Sequence, residues 1–250
     1  MGSLAYANTS FPPDLLHMPL SSLPSSRPQV ILFDVNETLL DMSKLKLAVN
    51  KAFGNKFAFK QWFGLLLQYS LVDTVTDSYH PFGTIGDAAL DMAAAMLEEK
   101  PLKPTKKSEI LDLMTQLAPH KDVPHGLEML VDAGFRLVAF TNSPKPVLDQ
   151  QLRHARIIRY FQQGLSIETV SKYKPHPETY QAALQTIGLP AAAALLVAAH
   201  GWDVAGAAHA GLQTGFIARP GQTLYPLAAP PTYTGKTLPD LVKQLLRQTE

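Results

Sequence analysis

The 250-residue chain contains no cysteine. Disulfides, thiolate zinc sites and cysteine nucleophiles are therefore excluded. Nothing in the composition calls for an oxidising compartment, and a cytoplasmic setting is expected. The sequence also lacks any apolar run near the ~20 residues needed to cross a bilayer, so no membrane partner is expected. An excess of either charge is missing too: 22 basic and 21 acidic residues leave a net charge of +1. No broad positive field results, and no nucleic-acid partner is expected. His17, His80, His120, His125, His154, His176 and His209 show no zincin spacing and read as surface or structural side chains. No metal site and no cofactor is expected. What is abundant is apolar material: 46% hydrophobic against 17% charged residues excludes disorder of the whole chain and allows a packed core.

Met1 to Pro28 is rich in Ser and Pro and has neither a basic n-region nor an apolar h-region, so it does not read as a secretory signal. Tyr6 stands where a myristoylation motif has Ser or Thr. Residues 1–27 are expected to form a flexible tail.

The first strand is predicted at Gln29 to Phe33, a short β-branched apolar run that ends in Asp34. From Ser43 to about Leu117 the spacing is helical. Leu45, Val49, Ala52 and Phe53 form one stripe, and Trp62, Leu65, Leu66, Tyr69 and Ser70 another. Ala88 to Leu97 and Ile110 to Leu117 add two more helices. Gly83 to Asp87 is read as a loop, and Lys100 to Lys107 as a solvated connection. Leu65-Leu66-Leu67 carries more apolar surface than one helix face needs, which fits a site mouth or a dimer contact. After Pro124, strands alternate with helices: strands at Arg136 to Phe140, Gly164 to Ile167, Ala194 to Ala198 and a final one at Thr214 to Ala218. Helices are expected at Gly126 to Ala133, Val147 to His154, Pro177 to Ile187, Asp203 to Ala210 and Leu238 to Gln248. Such alternation predicts a doubly wound, Rossmann-like parallel sheet with helices on both faces. The α/β core then comprises residues 28–42 and 122–250, and an inserted helical cap domain residues 43–121.

Ligands of open α/β sheets sit beyond the carboxyl ends of the strands. Those ends carry Asp34 and Thr38, Thr141 and Asn142, Lys174, and His200 and Asp203. Two carboxylates and a lysine converging on one crevice point to a carboxylate nucleophile kept ionised by an ammonium group.

Phe33-Asp34-Val35-Asn36-Glu37-Thr38-Leu39, Thr141-Asn142, Lys174-Pro175 and Asp203 to Gly211, in that order, resemble the four motifs of the haloacid dehalogenase superfamily. The resemblance extends from about Gln29 to Gly221. It implies a core sheet with a cap inserted after the first motif, and Asp34 as nucleophile. The magnesium-dependent phosphatases of that superfamily have Asp at the position of Asn36 and a further Asp at that of Ala199. Both acidic groups are missing here, and an amide cannot replace a general acid. Tyr173-Lys174-Pro175 with Tyr180, Trp202-Asp203 and Thr141-Asn142-Ser143 are instead similar to the metal-independent L-2-haloacid dehalogenase branch.

That branch implies hydrolysis of a small 2-haloacid to the 2-hydroxy acid through an aspartyl ester on Asp34. Lys174 would keep Asp34 ionised and help orient the substrate carboxylate. Thr38 would orient Asp34. Thr141 and the backbone N–H groups of Val35 and Asn36 would bind the carboxylate, and Asn142 would donate to the leaving halide. The resemblance also places Tyr180 and Trp202 beside the substrate. Asp203 would pair with Lys174 or position water. His200 reads equally well as the base for that water and as a loop histidine packed beside Trp202. The chain departs from the branch at Asn36, where related enzymes have Tyr, at Glu37, where they have Gly, and at Phe63, where they have a halide-binding Arg. Trp62, Phe63 and Tyr69 would then form an aromatic cradle. Two alternatives stay open: a magnesium-dependent phosphatase with a degraded motif, and a catalytically silent binding protein. The resemblance leaves a homodimer open as well.

Overall fold

The computed structural model describes residues 27–247. The expected tail lies outside them except for Arg27. Its guanidinium donates to Ala133 O at 2.6 Å and lies 4.5 Å from the centre of the Phe135 ring, so this residue belongs to the packed body.

Six parallel strands form one sheet among the described residues, in the order β3-β2-β1-β4-β5-β6. β1 (Val30–Phe33) is buried at all four positions because helices cover both sheet faces. It pairs with β2 (Arg136–Thr141) and with β4 (Ala194–Ala198), Phe33 lying opposite Ala139 and Val197. β3 (Gln163–Ser166) flanks β2, and β5 (Gln213–Ile217) flanks β4. The chain winds outward in both directions from β1, so a crevice opens at the carboxyl end of the central strands. Asp34 follows β1 directly.

Between β1 and β2 the chain is helical: α1 (Ser43–Phe53), α2 (Ala58–Val75), α3 (Phe82–Met96) and α4 (Pro104–Asp112), the last followed by a single 3₁₀ turn. In α1, Leu45, Val49 and Phe53 recur at four-residue spacing and are buried, and Gly54 ends the helix with a φ of 63°. The core-side helices are α5 (Val123–Asp132), α6 (Lys145–His154), α7 (Pro177–Ile187), α8 (Gly201–His209) and α9 (Leu238–Arg247).

Three sequence expectations need correction. Gly83 to Asp87 is not a loop but the first part of α3. Phe82, Ile85 and Gly86 are buried there, and tertiary packing outweighs the weak helix preference of glycine. Gly86 leaves room beside Leu66 and Leu111, and its carbonyl accepts a hydrogen bond from Trp62 Nε1 at 2.9 Å. Lys100 to Lys107 is not a connection along its whole length. Pro104 starts α4, and Lys107 inside that helix bridges Asp87 and Asp91 at 2.8 Å each. The strand at Gln213–Ile217 is also not the last. β6 (Tyr233–Gly235) adds three residues at the sheet edge, too few to show a period in sequence. The expected end of α9 at Gln248 lies outside the described residues.

Candidate active site

Five predicted side chains meet at the carboxyl end of the sheet. Lys174 Nζ donates to Asp34 Oδ1 at 2.8 Å, to Asp203 Oδ2 at 2.6 Å and to Phe140 O at 3.3 Å. Its three protons are thereby used, so the ammonium has no donor left for a substrate carboxylate. Thr38 Oγ1 donates to Asp34 Oδ2 at 2.7 Å and accepts from Ala199 N at 2.8 Å. Arg219, which the sequence reading passed over, holds this turn from below. Its Nε and Nη2 donate to Thr38 O, and Nη1 binds Asp122 Oδ1 at 2.7 Å.

His200 reaches Asp34 Oδ2 with Nδ1 and Glu37 Oε2 with Nε2, both at 3.1 Å. Its ring stacks on Trp202 at 5.0 Å between centroids. The packed histidine and the chemically placed histidine are thus the same residue. Burial alone would depress its pKa, but the hydrogen bonds to Asp34 and Glu37 outweigh burial and raise it to about 9. The resting ring is an imidazolium, which cannot act as a base until it loses a proton. Glu37 was noted in the sequence only as a departure. Its φ of 63° is a left-handed conformation that glycine adopts more freely.

Burial opposes ionisation of Asp34, yet the charge of Lys174 and the His200 hydrogen bond hold its carboxyl well below the usual range. Asp203 moves the other way: burial and the charge of Asp34 raise it despite Lys174. Tyr180 Oη donates to Asp203 Oδ1 at 2.6 Å, and burial followed by the Asp203 charge raises the phenol well above its ordinary pKa. Tyr180 therefore stays protonated and anchors Asp203, which Lys174 in turn links to Asp34.

The remaining predicted residues divide. Asn142 Oδ1 accepts from Lys174 N at 3.0 Å, which leaves its amide N–H groups free of that bond. Thr141 Oγ1 accepts from Ser143 N at 3.1 Å and retains its own proton to donate. The Asn36 side chain turns from the nucleophile to Ser143 Oγ and Gln151 Nε2. The N–H groups of Val35 and Asn36 make no backbone hydrogen bond among the described residues. Trp62 is fully buried and tied to Gly86 O. Phe63 stacks on Phe59 at 5.7 Å and lies 6.3 Å from the His200 ring, so it does face the site.

Tyr69 is not part of this cradle. At about 100° per residue it points away from Leu67 and Leu71, and it is 37% exposed. Leu67, Ser70 and Leu71, with Asn142, Lys174, Pro175 and Trp202, line a cavity of about 130 Å³. The apolar triplet also resolves: Leu65 and Leu66 are buried, while Leu67 lines this cavity. A larger cavity of about 370 Å³, lined on α2 by Trp62 and Leu66, touches neither Asp34 nor Lys174.

A family model described as haloacid dehalogenase-like hydrolase matches residues 31–217, a span that holds every one of the predicted site residues. The chain belongs to that family. Among curated members it is similar to an (S)-2-haloacid dehalogenase of Pseudomonas sp. strain YL, 28% identical over 216 residues, covering 85% of this chain and 92% of the relative. It is also similar to (S)-2-haloacid dehalogenase 4A of Burkholderia cepacia, 27% identical, covering 86% of this chain and 90% of the relative. A solved L-2-haloacid dehalogenase superposes with a TM-score of 0.84 at 25% identity, over 88% of this chain and 100% of that one. The fold is shared with the Xanthobacter autotrophicus L-2-haloacid dehalogenase carrying covalently bound chloropropionic acid, with a TM-score of 0.80, 20% identity and coverage of 88% and 98%. Among the described residues no helix is long and apolar enough to cross a membrane.

Proposed function

We propose that this protein hydrolyses small 2-haloacids to 2-hydroxy acids through an ester on Asp34, without a metal ion. The observation that carries this reading is Lys174 Nζ, seated between Asp34 and Asp203, where its charge holds the nucleophile ionised. Asn36 and Ala199 at the two positions where phosphatases carry Asp support it. The helical block 43–121 acts as a cap, and Phe63 is its contribution to the site.

Asp34, held anionic by Lys174, attacks the halogen-bearing carbon from the side opposite the halide. The C–O bond forms as the carbon–halogen bond breaks, and the halide leaves with the electron pair. Thr38 fixes the carboxylate. The Thr141 hydroxyl and the Val35 and Asn36 N–H groups receive the substrate carboxylate, and the Asn142 amide faces the leaving halide. The cavity beside Lys174, Asn142 and Trp202 holds the substrate.

Esterification removes the negative charge of Asp34 and with it the strongest hydrogen bond that kept His200 protonated. His200 then releases a proton to solvent as the halide departs. Glu37 accepts from Nε2–H, which leaves Nδ1 as a base beside the Asp34 carbonyl. Water attacks that carbonyl and gives its proton to Nδ1. The tetrahedral adduct collapses with its hydroxyl proton passing to the alkoxide, which restores the Asp34 carboxylate and the imidazolium. One halide and one proton leave per turnover.

The cysteine-free composition accords with a cytoplasmic setting. A homodimer would use Leu71, Val72 and Val75, which are exposed along α2; light scattering in solution decides between one copy and two. The enzyme test is release of halide and 2-hydroxy acid from L-2-chloropropionate in EDTA, beside para-nitrophenyl phosphate with magnesium. Dehalogenation in EDTA supports the reading. A magnesium-dependent phosphatase result without halide release overturns it.

A further inference from the structure

We infer that Tyr173 plugs into a socket formed by the end of α2 and the turn after it, and that Thr74 and Tyr173 are thereby positioning residues that set the Lys174 ammonium against Asp34. This rests on the reading of Lys174 as the group that keeps the nucleophile ionised, and it makes the cap a part of that device.

Thr74, in the last turn of α2, is buried, and its Oγ1 accepts from Tyr173 N at 3.0 Å. The hydroxyl proton goes to Ser70 O at 2.9 Å, which turns a lone pair toward Tyr173. Tyr173 Oη donates to His80 O at 2.6 Å. Its ring stacks on Tyr79 and tilts against Phe82, each at 5.9 Å between centroids. Tyr173 is fully buried in these cap groups, although it belongs to the core segment between β3 and α7. Beside it Lys172 Nζ donates to Thr74 O at 3.2 Å and pairs with Asp77, and Lys172 O accepts from Thr179 Oγ1 at 2.9 Å. The end of α2 is thus fastened directly to the segment that carries the lysine.

Lys174 is the next residue, and its Nζ reaches Asp34 Oδ1 at 2.8 Å and Asp203 Oδ2 at 2.6 Å. A lysine side chain is a flexible methylene stem, so the point its ammonium reaches depends on how its backbone is held. The core holds that backbone through Asn142 and through Pro175, which lies so close to Gly206 that a Cβ there would collide with it. The cap holds it one residue earlier, through Thr74. The same helix lines the substrate cavity with Leu67, Ser70 and Leu71, so α2 carries both a wall of the site and the fastening of its lysine. Asp34 faces two cations, Lys174 and His200, with Asp203 beyond the first and Glu37 beyond the second. Burial opposes ionisation of Asp34, so an ammonium displaced from it lets the carboxyl titrate at a higher pH.

The experiment compares the wild type with Thr74→Val, Thr74→Ser and Thr76→Val. Thr74→Val keeps the shape and removes the acceptor, and Thr74→Ser restores it. Thr76 is an exposed neighbour whose hydroxyl bonds within its own turn. The Asp34 carboxyl, isotope-labelled and assigned with Asp34→Asn, is titrated by NMR in the free protein. Between about pH 4 and pH 8, above the ordinary carboxylate range, Thr74→Val should show a titration step that the other three lack. Single-turnover esterification of Asp34 by 2-chloropropionate, followed by intact mass, should fall about tenfold to 10²-fold in Thr74→Val, the cost of misplacing a reacting group by about an ångström, and stay within about twofold in Thr74→Ser. That loss should deepen toward acid pH along the titration step. A titration in Thr74→Val like that of the wild type overturns the inference, and so does a pH-independent loss of rate, which marks a merely structural role. If Thr74→Val does not fold, Tyr173→Phe, which lacks the bond to His80 O, decides: a titration step upholds the socket and a wild-type profile removes it. Absence of an Asp34 adduct in the wild type overturns the dehalogenase reading instead, and the carboxyl titration still decides the socket.

Discussion

Glu37 Oε2 lies 3.1 Å from His200 Nε2, while the opposite ring nitrogen lies 3.1 Å from Asp34 Oδ2. One imidazole thus joins the nucleophile to a second carboxylate. Glu37 is held in a left-handed backbone conformation that glycine adopts freely, at a cost of about 1–2 kcal/mol for other residues. A strained residue with its side chain engaged at the reacting centre points to a role in the reaction.

If His200 activates the hydrolytic water, removing either partner slows ester hydrolysis more than ester formation. In His200→Gln and Glu37→Gln, intact-mass spectrometry after mixing with a 2-haloacid should show the Asp34 adduct accumulating, with a burst of halide. His200→Gln should lose about 10²–10⁴-fold in turnover, the usual worth of general base catalysis. A variant with slowed turnover and no adduct would place His200 before the ester.

The same residue sets a pH dependence of stability. Its folded pKa of about 9 lies above the ordinary value of 6.5, so the folded state binds the extra proton. The stabilisation is complete below about pH 6.5 and is lost as pH rises through about 9. Urea midpoints of the wild type should fall across this window, and those of His200→Gln should stay nearly level. Parallel curves for both proteins would mean that the ring is neutral in the folded state.

Asp34→Asn should fold and show no turnover, provided that the amide is not converted back to the acid. Single turnover of the wild type in heavy-oxygen water should label Asp34 before product, because the first product oxygen comes from the carboxylate. Fully labelled first-turnover product would mean direct attack by water.

Phe63→Arg would bring a second cation to within reach of the His200 imidazolium and remove the stack on Phe59. We expect the acidic limb of activity, set by His200 as the base, to move to lower pH, and specificity to shift toward 2-chloropropionate relative to longer acids. Tyr69→Ala, at a partly exposed position of α2, should leave kcat/KM within about twofold, since truncations of exposed residues away from special features change little. Equal effects of the two substitutions would contradict the contact of Phe63 with the His200 ring.

The strand positions along the chain and the residues after each strand were readable because both follow local rules. Apolar β-branched runs make buried strands, and parallel strands joined by helices bring their carboxyl ends to one edge. Asp34, Thr38, Lys174, His200 and Asp203 each follow a strand or open the next helix, so their convergence could be anticipated from order alone. The start of α3 and the edge strand β6 could not, because glycine-rich and three-residue segments take their structure from what they pack against.

Sequence by itself determined the α/β class, the helical insert and the set of polar groups delivered to one crevice, since periodicity and chain order are properties of the chain. Tertiary structure alone decided their partners. Lys174 spends all three protons on Asp34, Asp203 and Phe140, and Asn36 turns to Gln151 instead of the substrate. Glu37 and Arg219 join the site from 163 and 181 residues away from the groups they hold, His200 and Thr38 respectively. No local pattern encodes such separations. A hydrogen bond depends on ångström distances between side chains, and those are set only when the helical insert, the sheet and the loops between them pack together.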